Sequence, residues 1–330
     1  MHRNRRTEPA ASRPLQVATA FALLAAGVAA CSPTDDEPIG LRDTGTPADR
    51  SGDAGTEGSA DPGTEVGADT DLPPDGCEER ARWIYIVSEE NMLLRFYPNE
   101  LRLEEIGILG CTPTGFGATP FSMSVDRDAT AWVLYTGGPV HPAGELFRVS
   151  TIDASCEPTG FARGQAGFEL FGMGFSTDVA GGDAETLYVA GGPAAGIGTE
   201  DQRLGWIDTG SLVLTPIASI PGSPELTGTG LAELWGFFPD TSPPMVARID
   251  KTNGSLDRIY NLSISTASTR AWAFAFWGGD FWIFLMAGGD ASTNIWKLEA
   301  DDGSVTEAMH NIGWTIVGAG VSTCAPVVLI

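Results

Sequence analysis

Gly172-Met173-Gly174-Phe175, then Leu187-Tyr188-Val189, then Leu204-Gly205-Trp206-Ile207 spell three words in a fixed order. The first is a small-x-small-apolar word. It returns as Ser122-Met123-Ser124-Val125, Gly228-Thr229-Gly230-Leu231, Ala273-Phe274-Ala275-Phe276 and Gly318-Ala319-Gly320-Val321, at steps of 50, 56, 45 and 45 residues. The second reads Ala131-Trp132-Val133-Leu134, Leu234-Trp235-Gly236-Phe237 and Phe281-Trp282-Ile283-Phe284. The third reads Leu146-Phe147-Arg148-Val149, Val246-Ala247-Arg248-Ile249 and Ile295-Trp296-Lys297-Leu298. A turn signal such as Asn253-Gly254 or Asp302-Gly303 follows, then a weaker alternating run. Short apolar runs bounded by Gly, Asn and Asp are strands joined by hairpins. A strand-rich repeat near this length is a propeller blade of four strands.

The first unit lacks its opening word. Ile84-Tyr85-Ile86 and Leu94-Arg95-Phe96 supply words two and three, and the missing first word stands at the far end, in Gly318 to Val321. The expectation is therefore an all-β propeller of five four-stranded blades, with the C-terminal strand closing the first blade. Closure removes the open sheet edges of a linear array. Six blades would need a further strand set hidden in the two longest steps. With five blades the innermost strands crowd together, so Gly, Ala and Ser at alternate positions relieve the crowding. Met123, Met173 and Phe274 then point into the packing between blades.

The chain divides in three. Residues 1–30 carry Arg3, Arg5, Arg6 and Arg13 ahead of an apolar run from Leu15 to Ala30, the layout of a secretory signal. Residues 31–76 follow as a tether. Past Cys31 it holds 12 acidic and 2 basic residues and no aromatic one, so it cannot bury enough apolar surface to fold. As a coil it would span roughly 35–40 Å. Residues 77–330 are the propeller domain.

The formal net charge is −24, and the part from Cys77 onward holds 30 acidic and 13 basic residues. That balance excludes nucleic acid as a partner, because phosphates need basic patches. It fits solubility first, and a cationic partner or metal second. Four cysteines besides Cys31 make an even number in an exported domain, which implies disulfides. Topology favours Cys77 with Cys324, because these residues end adjacent antiparallel strands of the first blade. Cys111 with Cys156 follows by elimination.

Catalytic chemistry is sparse. After His2, only His141 and His310 remain, in different loops, so nothing in the sequence supports a Ser-His-Asp or His-metal site. Asp208-Thr209-Gly210-Ser211 matches the aspartic-protease word but sits at a hairpin turn shared with Asp250 and Asp302. No cofactor is predicted. Ca²⁺ is the one the sequence leaves open, since Asp126-Arg127-Asp128 and Asp301-Asp302-Gly303 offer oxygens without the spacing of an EF-hand loop. Trp132, Tyr188, Trp235 and Trp282 fall at equivalent core positions, whereas Trp277 and Trp314 lie near strand ends, where packing or stacking on a sugar or peptide would suit them.

Recognition on a rigid propeller lives in its loops. The loops joining second and third strands are residues 88–92, 136–144, 191–203, 239–245 and 287–293. Their groups with ligand chemistry are Glu89, Glu90, His141, Glu200, Asp201, Asp240 and Asp290.

Val28-Ala29-Ala30-Cys31 behind a fitting signal, together with the three repeated words, resembles bacterial lipoproteins that carry YVTN/NHL-like or kelch-like propellers on acidic tethers. The resemblance implies lipidation of Cys31, an outer-membrane address favoured by Ser32, and ligand recognition without a specific activity. The leading expectation is a non-catalytic binding or scaffold module for a protein or glycan at the cell envelope. A metal-dependent hydrolase or lactonase of the propeller type is the first alternative, and a structural subunit of an envelope assembly is the second.

Overall fold

The computed structural model describes residues 77–196 and 202–328. The expected Cys31 anchor, the signal and the tether lie outside the described residues. Blade 1 takes β1 (Ile84–Ser88), β2 (Met92–Tyr97) and β3 (Arg102–Ile108). Blade 2 is β4 (Pro120–Val125), β5 (Thr130–Tyr135), β6 (Glu145–Ser150) and β7 (Cys156–Pro158). Blade 3 is β8 (Leu170–Thr177), β9 (Glu185–Gly192), β10 (Arg203–Ile207) and β11 (Leu214–Ser219). Blade 4 is β12 (Glu225–Gly228), β13 (Leu234–Phe238), β14 (Met245–Ile249) and β15 (Leu256–Asn261). Blade 5 is β16 (Ala271–Trp277), β17 (Asp280–Met286), β18 (Asn294–Leu298) and β19 (Val305–Met309). The last strand, β20 (Ile316–Gly320), pairs with β1, so each of the five sheets has four antiparallel strands.

The ring closes as the words require. β20 lies between β16 and β4, and each remaining inner strand packs on the next. Burial falls from the inside out, from a fully buried β8 to a largely exposed β3. The small residues are needed where expected. A Cβ on Gly318 or Gly320 would come within 2.8 Å of the β4 backbone, and one on Gly174 within 3.0 Å of β12. Ser124 and Thr227 use the same tightness differently: their hydroxyls accept the backbone N–H of Phe175 and Phe276 in the next blade, at 3.1 and 3.0 Å.

One register differs from the sequence reading. Thr227 pairs with Trp235 as Ser124 pairs with Trp132 and Gly174 with Tyr188. The first word of blade 4 is therefore Glu225-Leu226-Thr227-Gly228. Thr229, Gly230 and Leu231 form the hairpin that follows it. The Gly228-Thr229-Gly230-Leu231 reading is three residues late, and the inner-strand position it assigns to Gly228 belongs to Glu225.

Apolar side chains from adjacent blades merge into shared cores. Met123 packs with Tyr85 and Val87 of blade 1, Met173 with Trp132 and Leu134 of blade 2, and Phe274 with Trp235 and Phe237 of blade 4. Two disulfides tie the ring. Cys77–Cys324 spans 247 residues and fastens the chain past β20 to the start of blade 1. Cys111–Cys156 joins the stretch after β3 to β7 of blade 2. The upper face of the ring carries the loops between second and third strands. The lower face carries the hairpins between first and second strands and between third and fourth.

Candidate functional site: an acidic pocket on the lower face

The β4–β5 hairpin begins with Asp126, whose Oδ1 accepts the N–H groups of Asp128 and Thr130 at 3.1 and 2.8 Å. Its Oδ2 accepts the Trp132 indole N–H at 2.9 Å. This fixed turn projects Arg127 toward blade 3. There the Arg127 backbone N–H donates to Glu185 Oε1 at 2.9 Å, and its guanidinium donates to Asp183 at 3.1 Å. The second guanidinium nitrogen reaches Thr323 Oγ1 at 3.2 Å, and that hydroxyl donates to Glu185 Oε2 at 2.7 Å. Blade 2, blade 3 and the strap after β20 thus meet on one carboxyl group.

A cavity of about 410 Å³ opens beside this network. Trp132 and Phe175 wall it with an edge-to-face pair, ring centroids 6.2 Å apart. Four carboxyl groups line it, those of Asp126, Asp128, Asp183 and Glu185, against the single guanidinium of Arg127. Burial pushes the Glu185 carboxyl up to about 7, with the Asp126 charge adding to it. The Thr323 hydroxyl and Arg127 pull it back without restoring an ordinary value. Burial also raises Asp126, while its bonds to Trp132 and the turn N–H groups oppose the rise. The pocket therefore concentrates negative charge and contains one carboxyl poised to exchange its proton near neutrality.

The upper end of the channel carries another buried carboxyl. Glu225 is 3% exposed and lies over Gly172, where a Cβ would meet its Cδ at 3.2 Å. It crosses from blade 4 to accept the Ser122 hydroxyl of blade 2 at 2.9 Å. Burial dominates its environment and drives its pKa well above the usual carboxylate range.

The residues expected from the upper loops lie apart. Glu89, Glu90 and His141 are exposed. Asp240 accepts the Ser223 N–H at 2.8 Å, and Asp290 accepts that of Ala287 at 2.8 Å. Glu200 and Asp201 fall outside the described residues. No hydrogen bond joins any two of those described, and they line neither the lower pocket nor the channel mouth. Among the described residues, no group of three or more His, Cys, Asp or Glu side chains is placed to hold a metal ion.

Sequence reasoning marks Asp126 and Asp128 as oxygen donors, both of which line the pocket, but gives no role to Arg127 and passes over Glu185, Thr323 and Glu225. One signal is visible: an arginine between two aspartates in a very short hairpin has its own turn satisfied by Asp126 and is free to reach a neighbouring blade.

No protein-family model and no curated protein matches the chain. Among solved structures it is similar to TolB from Acinetobacter baumannii, with TM-score 0.42 and 10% identity over 69% of this chain and 52% of that one. It spans about half the length of that TolB. A putative TolB from Agrobacterium tumefaciens gives TM-score 0.40 and 12% identity over 68% and 76% of the two chains. The PQQ-bound aldose sugar dehydrogenase from Streptomyces coelicolor gives 0.43 and 10% over 72% and 81%.

Proposed function

We propose that this chain is an exported propeller, lipid-anchored through Cys31 and held off the membrane by its acidic tether. On this reading it binds a partner protein at the cell envelope and does no chemistry of its own. The observation that carries the reading is the lower-face pocket, in which four carboxyl groups face one guanidinium within a cavity of about 410 Å³. A pocket so charged favours a cationic group, and the basic side chains of a protein supply one. Its walls come from short hairpins on a disulfide-fastened ring, so the carboxylates are held in place before the partner arrives. Among the described residues no helix is long and apolar enough to cross a membrane, and in this reading the anchor is the lipid.

A calorimetric titration with an acetylated tetra-arginine peptide tests this. The full chain binds saturably and more weakly as salt rises. The Asp128→Asn/Asp183→Asn variant loses about tenfold in affinity, a difference of about 1.4 kcal/mol. Equal binding by the variant would sink the assignment of the pocket.

A hydrolytic reading has one observation in its favour, the Glu185 carboxyl near 7 beside the raised Asp126. Turnover of a lactone or ester that disappears in Glu185→Gln would establish it in place of the binding reading.

A further inference from the structure

A polar atom taken out of water is paired almost without exception in a folded chain, because an unpaired one bears the full cost of its desolvation. Among the described residues two buried side-chain nitrogens have no hydrogen-bond partner, Arg95 Nε and Trp272 Nε1. The two are unequal. A guanidinium has further N–H groups, and Arg95 places one of them on the Tyr97 hydroxyl at 3.1 Å. An indole has a single N–H and no acceptor. The whole hydrogen-bonding capacity of Trp272 is therefore unanswered by protein.

Trp272 is the second residue of β16, at the upper end of the inner strand of blade 5. Its ring packs against the core shared by blades 4 and 5. It also lines the space of about 10 Å³ at the upper mouth of the channel, together with Glu225, Gln202 and Ser223. Glu225 already accepts the Ser122 hydroxyl at 2.9 Å and the Met173 backbone N–H. Each carboxyl oxygen has two lone pairs, so both bonds leave acceptor capacity over.

These groups narrow what can lie between them. The space admits one molecule of about the size of water. Toward the indole that molecule must accept a hydrogen bond, and toward Glu225 it must donate one. A metal ion or ammonium has no lone pair to offer the indole. An anion would be stripped of its hydration where, among the described residues, no cation lies beside it. Water is small, neutral, and both donor and acceptor. We infer that an ordered water is a resident part of the upper mouth, accepting the Trp272 indole N–H and donating to the Glu225 carboxyl. The bridge carries blade 5 through the water to Glu225 of blade 4 and on to Ser122 of blade 2. The channel is then stoppered at its upper end, and a molecule that reaches the axis enters from the lower face. This holds whatever the acidic pocket binds.

The test uses the full chain carrying nitrogen-labelled tryptophan. The Trp272 indole signal is the one absent from Trp272→Phe. Nuclear Overhauser spectra will show cross-relaxation between this N–H and a long-lived water. The Trp282 indole, which donates to the Trp277 carbonyl at 3.3 Å, will show none. In Glu225→Leu the Trp272 cross-peak disappears, because the second partner of the water is gone. A further substitution covers the case in which that variant does not fold. Trp272 is replaced by its benzothienyl analogue, which keeps the shape and has sulfur in place of the N–H. Loss of a bridged N–H lowers the folding equilibrium constant about fivefold, whereas loss of an unpaired one raises it. Absence of the Trp272 cross-peak in the unsubstituted chain overturns the inference. So does a cross-peak that survives in Glu225→Leu, and so does a gain in stability with the analogue.

Discussion

The two ends of the channel hold the same chemical motif with opposite consequences. At the upper mouth Glu225 accepts a hydroxyl from Ser122, and at the lower mouth Glu185 accepts one from Thr323. Among the described residues no cation lies beside Glu225, and the cavity there is about 10 Å³, the size of a single water. Glu185 has Arg127 within reach and a roomy pocket alongside. The first carboxyl is a plug that pins three blades together. The second can change charge in contact with solvent. Burial alone therefore does not make a functional acid; the space and the counter-charge next to it decide.

That contrast is broken most severely at the strap that brings Thr323 to Glu185. Cys77→Ser/Cys324→Ser releases a crosslink spanning 247 residues, worth roughly 5–6 kcal/mol in the chain-entropy model. Denaturant unfolding will show a loss of that order, and hydrogen exchange will rise first around Thr323 and Glu185, with the Glu225 end following. Uniform exchange at both mouths would deny that the lower one depends on the strap.

At the upper mouth, Glu225→Ala leaves a void and an unpaired Ser122 hydroxyl, for a cost of about 2–4 kcal/mol. Glu225→Gln keeps the shape and an acceptor for Ser122. Burial disfavours the charged form, which the amide also lacks, so its cost is under about 1 kcal/mol. A large loss in Glu225→Gln would mean that the carboxylate, and not the acid, seals the channel.

The lower mouth makes a smaller, pH-dependent contribution. The folded pKa of Glu185 is raised, so the native state holds its proton more tightly than the unfolded chain. Its contribution is fully present below about pH 4.5 and is lost as pH climbs toward 7. The slope is at most about 1.4 kcal/mol per pH unit in that window. Glu185→Gln flattens this part of the stability curve. Parallel curves for the two proteins would remove Glu185 from the titration.

The same contrast separates what the sequence reveals from what it hides. Blade count, closure by β20 and the Cys77–Cys324 bond are legible because each rests on local periodicity or on strand order. The Gly and Ser positions of the inner strands are legible because crowding at the axis permits little else, as the contacts at Gly318 and Gly320 show. Blade 4 misleads because Glu225 fills the channel where its counterparts leave space, and a chance Gly-Thr-Gly in the next hairpin imitates the word. The pocket is invisible for a different reason. Arg127 meets Glu185 across 58 residues, and Glu185 meets Thr323 across 138, so no spacing rule connects them.

If Glu185 is a titrating carboxyl in a pocket built for a cationic group, carbon-detected NMR titration of that carboxyl will show it most directly. The titration is run with and without the acetylated tetra-arginine peptide. The expected midpoint is near 7 in the free protein, moved downward when the peptide's charge arrives. A midpoint in the ordinary glutamate range, or one that the peptide leaves in place, would contradict it.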